Sequence, residues 1–374
     1  MLGQTWSTPV KTKIVIGNDT EEVLIFGGGY HDGQDSAVTR TPDAYGNAVY
    51  MVRAGSDASA NGGNNDGSPD LLWSAGNSNA FTENLADMTY SIASDVKVLD
   101  INLDGYPDQM YVGDMGGQLW RFDLFSGANQ ASTLATAGVI GRIGGIDAAS
   151  NRRFFHAPDV SIFSDDGTQT LNVAIGSGWQ AHPLDEVVDD RFYSFHSTDI
   201  YSAPAAYAVA TEAELYDATD NLLGAEGQAL SQADLNVEIQ NFENSSGWYI
   251  RLENSGEKVL AKSLTVNNQI IFTTYEPNST SNTGCSAAIG TARSYVVSVS
   301  NATPTMDLDN DGDWDKADRG TALATGSIAP EPIALIPEGS DPIILIGPET
   351  PVADLDFGNM SVRTYWYQTY ETVP

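Results

Sequence analysis

Short runs of β-branched and aromatic residues come in pairs along this chain, each run closing on a glycine or polar turn, and that recurrence limits the fold more than any other feature. Five pairs can be read: Val23–Gly27 with Ala48–Val52, Met110–Gly113 with Gln118–Phe122, Val173–Gly176 with Arg191–Phe195, Ile270–Thr273 with Ser294–Val297, and Ile343–Gly347 with Thr364–Tyr367. Such runs fit a pleated surface, so the pairs read as antiparallel hairpins and the class as all-β. Their pitch of roughly 60 to 100 residues exceeds the ~40–50 of ordinary propeller repeats. A β-propeller with long inter-strand insertions and about five visible blades fits best, with a set of β-sandwich domains as the alternative. Residues 1–374 are expected to form a propeller domain or the C-terminal portion of one, with further sequence upstream.

One stretch departs from this pattern. Between 211 and 242 Ala, Glu, Gln and Leu accumulate, with Ala229, Leu230, Ala233 and Leu235 near helical spacing, and a short helical insertion is expected. It ends at Asn244–Gly247, after which Trp248–Leu252 resumes a strand. The prolines from Pro330 to Pro351 mark the last quarter as extended, with room for edge strands and none for a long helix.

Charge removes whole classes of function. With 50 Asp+Glu against 17 Lys+Arg the formal charge is −33, so the chain lacks the basic footprint that nucleic acids and anionic membranes require. The same excess favours divalent cations. No apolar run is long enough to cross a membrane, and Met1–Trp6 has neither a basic nor an apolar leader region. The one cysteine, Cys285, can form neither an internal disulfide nor a cysteine-based zinc site.

The sharpest local signal is Asp100-Ile-Asn102-Leu-Asp104-Gly105-Tyr106-Pro-Asp108, which matches the first nine positions of a calcium loop. Oxygens at positions 1, 3 and 5 converge when the chain coils tightly. Gly105 permits the turn, the Tyr106 carbonyl supplies position 7 and Asp108 position 9. Position 12 is Tyr111 and a strand follows, so this loop is no helix–loop–helix hand. A second copy is Asp307-Leu-Asp309-Asn-Asp311-Gly312-Asp313-Trp-Asp315, with Asp318 at position 12 and with Lys316 and Arg319 near enough to neutralise an empty loop in part. A third stretch, Asn64–Asp70, has Gly62 at the first ligand position and reads rather as a turn.

Catalytic patterns are missing from the sequence. The four histidines, His31, His156, His182 and His196, form no His-Glu-x-x-His or His-x-His pattern, and there is no Gly-x-Ser-x-Gly elbow. Gly27–Gly29 precedes no helix that could cradle a phosphate. The chain is therefore read as a non-enzyme, the alternative being a secreted propeller enzyme, glycosidase or quinoprotein-like, with purely structural calcium. Integrin-type propellers also carry calcium hairpins, but at near-constant pitch in consecutive blades, unlike the wide separation of Asp100 and Asp307.

Taken with these motifs, the chain resembles the C-terminal β-propeller domain of the PilC/PilY family of type IV pilus biogenesis and adhesion factors. The segments that carry the likeness are Gly3–Ser7, Phe26–Tyr30, Asp100–Asp108 running on through Tyr111–Asp123, and Phe154–Asp159. They continue with Gly176–Gly178, His182–Asp185, Asp190–Tyr193, Gly247–Tyr249, Gly256–Leu260, Phe272–Pro277 and Gly290–Arg293. The resemblance implies a modified seven-bladed propeller from a large exported protein with a variable N-terminal region. It implies calcium ligation by Asp100, Asn102, Asp104, Tyr106 and Asp108, with metal occupancy linked to pilus extension and retraction, twitching motility and attachment. Ligation by Asp307, Asp309, Asp311, Asp313 and Asp315 rests on that loop's own chemistry. Minor pilins or other pilus-tip components are the implied partners, with host or abiotic surfaces beyond them, in an extracellular, pilus-associated setting. Cys285 stands alone where relatives often show a pair.

Overall fold

The computed structural model describes residues 1–54, 71–165, 167–278, 290–335 and 343–351. Among these residues five sheets follow one another in chain order. The first holds Val10–Ile16, Asp19–Gly27, Ala48–Arg53, Leu71–Gly76 and Glu83–Asn84, and the second Lys97–Leu99, Gln109–Gly113, Gln118–Leu124 and Ala135–Arg142. In the third, Asp159–Asp165, Thr168–Gly176, Arg191–Ser197 and Gly247–Arg251 lie side by side, with Tyr216–Asp217 added in parallel at the edge. The fourth is built on Gln269–Glu276 and Thr291–Ser298, flanked by Lys258–Val259, Leu264–Val266 and Gly320–Ala322. Two short strands, Ile333–Leu335 and Ile343–Leu345, make the fifth.

Period-two alternation explains how the sheets stack, because successive side chains of a strand point to opposite faces. In Gln109–Gly113, Met110 and Val112 join Val23, Met51 and Trp73 in a core between the first and second sheets. Tyr111, on the other face, joins Leu171, Val173 and Tyr193 in a core between the second and third. Ala174 and Phe192 then turn to the fourth sheet, meeting Ile270, Phe272 and Val297, and Ile271 and Val296 turn away from these toward Ile344 of the fifth. Each core is thus an interface between sheets that are neighbours in sequence. This serial stacking of antiparallel sheets is the organisation of a β-propeller. A separate aromatic plug gathers Tyr30, Met115, Phe155 and Trp179, where loops of the first three sheets converge, and Trp6 stacks on Tyr30 at 5.3 Å.

Four of the five expected hairpins form with the expected partners. The second strand of the fifth, Thr364–Tyr367, lies outside the described residues, and its first, Ile343–Leu345, pairs with Ile333–Leu335. The helical insertion is shorter than its composition implies. Only Gln232–Glu243 is α-helix, started by Ser231, whose hydroxyl accepts the Asp234 N–H. Ahead of it come two 3₁₀ turns, Glu212–Glu214 and Ala225–Ala229, separated by the edge strand Tyr216–Asp217. That edge pairing with Trp248 and Tyr249 competes successfully with weak helical propensity. Among the described residues no helix is long and apolar enough to cross a membrane.

Candidate metal centres: two acidic loops

Both acidic loops connect strands that are hydrogen-bonded neighbours in one sheet. Residues 100–108 join Lys97–Leu99 to Gln109–Gly113, with Leu99 opposite Gln109. Residues 307–318 lie between Thr291–Ser298 and Gly320–Ala322, with Tyr295 opposite Gly320. Each loop is therefore pinned at a rigid sheet edge.

Inside, the two loops fold alike position by position. In the first, the Asp104 N–H donates to Asp100 Oδ1 at 3.1 Å and Asn102 Oδ1 at 2.8 Å, Gly105 N–H to Asp100 Oδ2 at 2.8 Å, and Tyr106 N–H to Asp104 Oδ1 at 2.9 Å. In the second, Asp311 N–H donates to Asp307 Oδ1 and Asp309 Oδ1, both at 3.2 Å, Gly312 N–H to Asp307 Oδ2 at 3.0 Å, and Asp313 N–H to Asp311 Oδ1 at 2.9 Å. The fourth residue of each loop is left-handed, Leu103 and Asn310 both at φ 61°, and the sixth is a positive-φ glycine, Gly105 at 92° and Gly312 at 95°. These turns wind the backbone so that the side chains at loop positions 1, 3 and 5 point inward.

Closure differs in sequence and agrees in geometry. The Asp108 carboxylate accepts N–H bonds from Ile101 and Asn102, with a further bond from the Asn102 amide at 3.1 Å. In the second loop Asp318 does this work, accepting from Leu308 at 2.6 Å and Asp309 at 3.3 Å, and also from Asp315 N–H at 3.0 Å. Oxygens of Asp307, Asp309, Asp311 and Asp318 all lie within 4.8 Å of one another, a group that could hold a metal ion. Asp318 is fully buried. Asp313 and Asp315 stand outside this group. The Asp315 side chain instead caps the 3₁₀ turn Lys316–Arg319, accepting the Ala317 N–H at 2.7 Å.

Nearby cations are committed elsewhere. Lys316 Nζ bonds Glu253 at 2.7 Å and Asp220 at 3.4 Å, while Arg319 donates to the Thr219 carbonyl and to Asn221. Lost hydration, with the charges of Asp311, Asp318 and Asp307 behind it, holds the Asp309 carboxyl above the usual carboxylate range. An arrangement of hard oxygen donors and unneutralised charge suits a divalent cation bound through oxygen. Of the remaining sequence candidates, Asn64–Asp70 and Cys285 lie outside the described residues.

No protein-family model matches the chain. A curated relative, the type IV pilus biogenesis factor PilY1 homolog of Xylella fastidiosa, is 24% identical over 202 residues, covering 51% of this chain and only 13% of the relative. Among solved structures, the Pseudomonas aeruginosa PilY1 C-terminal domain superposes with a TM-score of 0.51 at 15% identity, covering 92% of this chain and 84% of that one. An α-L-arabinofuranosidase from Fusarium graminearum reaches a TM-score of only 0.30 at 8% identity, below the level of a shared fold. In sequence and in fold, the chain resembles the PilY1 C-terminal domain.

Proposed function

We propose that this chain is a calcium-binding, type IV pilus-associated biogenesis and adhesion factor, non-enzymatic, acting outside the cell on pilus dynamics and surface attachment. Residues 1–374 are taken as one propeller domain or the C-terminal portion of one. The observation that carries the metal reading is the repetition of one loop geometry, down to individual N–H donors, by two sequences whose closing aspartates stand at different positions. The pilus setting rests on the likeness to the PilY1 homolog.

In this reading Asp100, Asn102, Asp104, the Tyr106 carbonyl and Asp108 hold one ion. Asp307, Asp309, Asp311, the Asp313 carbonyl and Asp318 hold the other. With three carboxylates in the first loop, affinity falls between the sensor and extracellular ranges, about 10⁻⁶ to 10⁻³ M. Calcium at Asp108 orders the entry to Gln109–Gly113 and thereby the surface offered to minor pilins, other pilus-tip components, or a host or abiotic surface. It regulates only if it binds the docking-competent state more tightly than the other.

Calorimetry on chelator-treated protein tests this, alongside Asp100→Ala and Asp307→Ala. Two sites are expected, each variant losing one with the fold retained. Absence of calcium binding below millimolar, or identical affinity of apo and loaded protein for pilus-tip components, would sink the metal and the regulatory parts respectively.

A further inference from the structure

We propose that a cavity between the second and third sheets is a binding site for a small, neutral, apolar molecule of the size of a monosubstituted benzene or a short alkyl chain. The cavity measures about 220 Å³ and is walled by Tyr111 and Ile140 of the second sheet, Leu171, Val173 and Phe195 of the third, and a strap over residues 198–210. Its volume is roughly half as large again as the ~150 Å³ at which a dry, apolar protein cavity takes up benzene.

The strap is tied down at both ends. Near its start the Ile200 carbonyl accepts from Gln109 Nε2 at 2.8 Å, and Arg121 donates to the Asp199 and Ser202 carbonyls at 2.7 and 3.1 Å. Near its end Ala210 forms a parallel bridge to Gly141, and Tyr207 donates to Asp123 Oδ2 at 2.7 Å. A Cβ on Gly138 would come within 2.4 Å of the Tyr207 ring, so that glycine lets the ring lie flat on the sheet. Between these ties the sequence Ala203-Pro-Ala-Ala-Tyr-Ala-Val-Ala210 offers little but methyl groups. Small side chains on the strap leave unfilled the space that the bulky strand residues beneath enclose.

The polar atoms of the wall define the ligand class. Arg121 is consumed by Asp123 and the two strap carbonyls, and Tyr111 donates to Gln109 Oε1 at 2.8 Å. His196 Nε2 is engaged by Ser194 Oγ and the Val299 carbonyl. None of the described buried side-chain polar atoms left without a partner belongs to a wall residue. Ser197, Asp199, Glu214 and Ser246 complete the lining, and the two carboxylates repel an anion, whereas a neutral apolar molecule gains contact surface from the strand residues beneath the strap.

The test is methyl NMR and thermal melting of the full chain with toluene and 1-hexanol, and with benzoate as the charged counterpart. Saturable shifts at Ile140, Leu171 and Val173 are expected with the neutral probes, with a Tm rise of about 3 °C at about a hundred times Kd. Benzoate should produce neither. Val173→Phe fills the space and should abolish binding while the melt stays cooperative. Should that variant fail to fold, xenon uptake by the unmodified chain decides. The proposal is overturned by the absence of saturable shifts and xenon uptake, by equal binding of benzoate, or by undiminished binding in folded Val173→Phe.

Discussion

Asp318 occupies in one loop the position that Asp108 occupies in the other: each carboxylate accepts the N–H groups of the second and third loop residues, although Asp108 lies seven residues beyond Ile101 and Asp318 ten beyond Leu308. The difference arises in the downstream backbone. After Asp108 the chain enters a strand at once, whereas after Asp315 it makes a 3₁₀ turn that swings Asp318 back over the loop.

Asp318→Asn is therefore expected to weaken metal binding at the second loop at least tenfold by calorimetry. Asp315→Ala should leave that affinity within twofold and lower stability by about 1 kcal/mol through loss of its cap. The reverse ranking would place the ligand at position 9.

Leu103 and Asn310 share one left-handed conformation, which costs Asn little and Leu more. Leu103 is also 85% exposed, so its side chain contributes little packing in return. Leu103→Asn should raise stability by about 0.5–1 kcal/mol in urea unfolding and tighten the first metal site, because less strain remains in the coiled loop. A loss of stability would refute the equivalence of the two positions.

Gly105 and Gly117 both have positive φ, 92° and 71°, yet differ in surroundings. A Cβ on Gly105 meets nothing within 4 Å, whereas one on Gly117 would lie 2.6 Å from Gly144 N and 2.8 Å from the Arg152 carbonyl. Gly105→Ala should cost roughly 1 kcal/mol, the backbone strain alone. Gly117→Ala should cost several times as much, since its neighbours are backbone of a second loop; equal thermal melts would refute this.

Burial pushes the imidazole of His196 down to about 4, against a backbone carbonyl interaction with Val299 that acts the other way. The unfolded chain then takes up this proton first, near the ordinary 6.5, so stability falls as pH drops from about 6.5 toward 4 and levels off below. Asp114, raised to about 7 mainly by burial, and Asp190, raised to about 6 for the same reason, act in the opposite sense. The clean readout is the difference between the unmodified chain and His196→Gln in metal-free urea unfolding. It should shrink by on the order of 2 kcal/mol across that window, and a pH-independent difference would exclude the assignment.

The strands were legible wherever β-branched and aromatic residues cluster, as in Met110–Gly113 and Gln118–Phe122, because the sheet's pleat and its two buried faces select for those residues. Ile333–Leu335 was hidden by Pro330, Pro332 and Pro337, whose local signal is a loop while the pairing with Ile343–Leu345 is tertiary. The inward positions 1, 3 and 5 of both acidic loops were readable from spacing, since backbone coiling alone aims them. The closing residue of the second loop was legible only in part: spacing put Asp318 at position 12, but its closing the loop in place of Asp315 depends on a 3₁₀ turn set by the Asp315 cap and by Arg319 reaching Thr219 and Asn221. Nothing in residue spacing announces the strap; its ties are carbonyls caught by Arg121 and Gln109, one bridge at Ala210 and the Tyr207 hydroxyl on Asp123.

Because neighbouring residues of one strand belong to different cores, as Met110 and Tyr111 do, inserting a single residue into such a strand would exchange the contents of two interfaces together. Strand lengths are frozen by this double duty, and descent with changing length is confined to the connections. There a lineage can lengthen, shorten or re-close a loop, as 100–108 and 307–318 illustrate, without disturbing the stack that carries it.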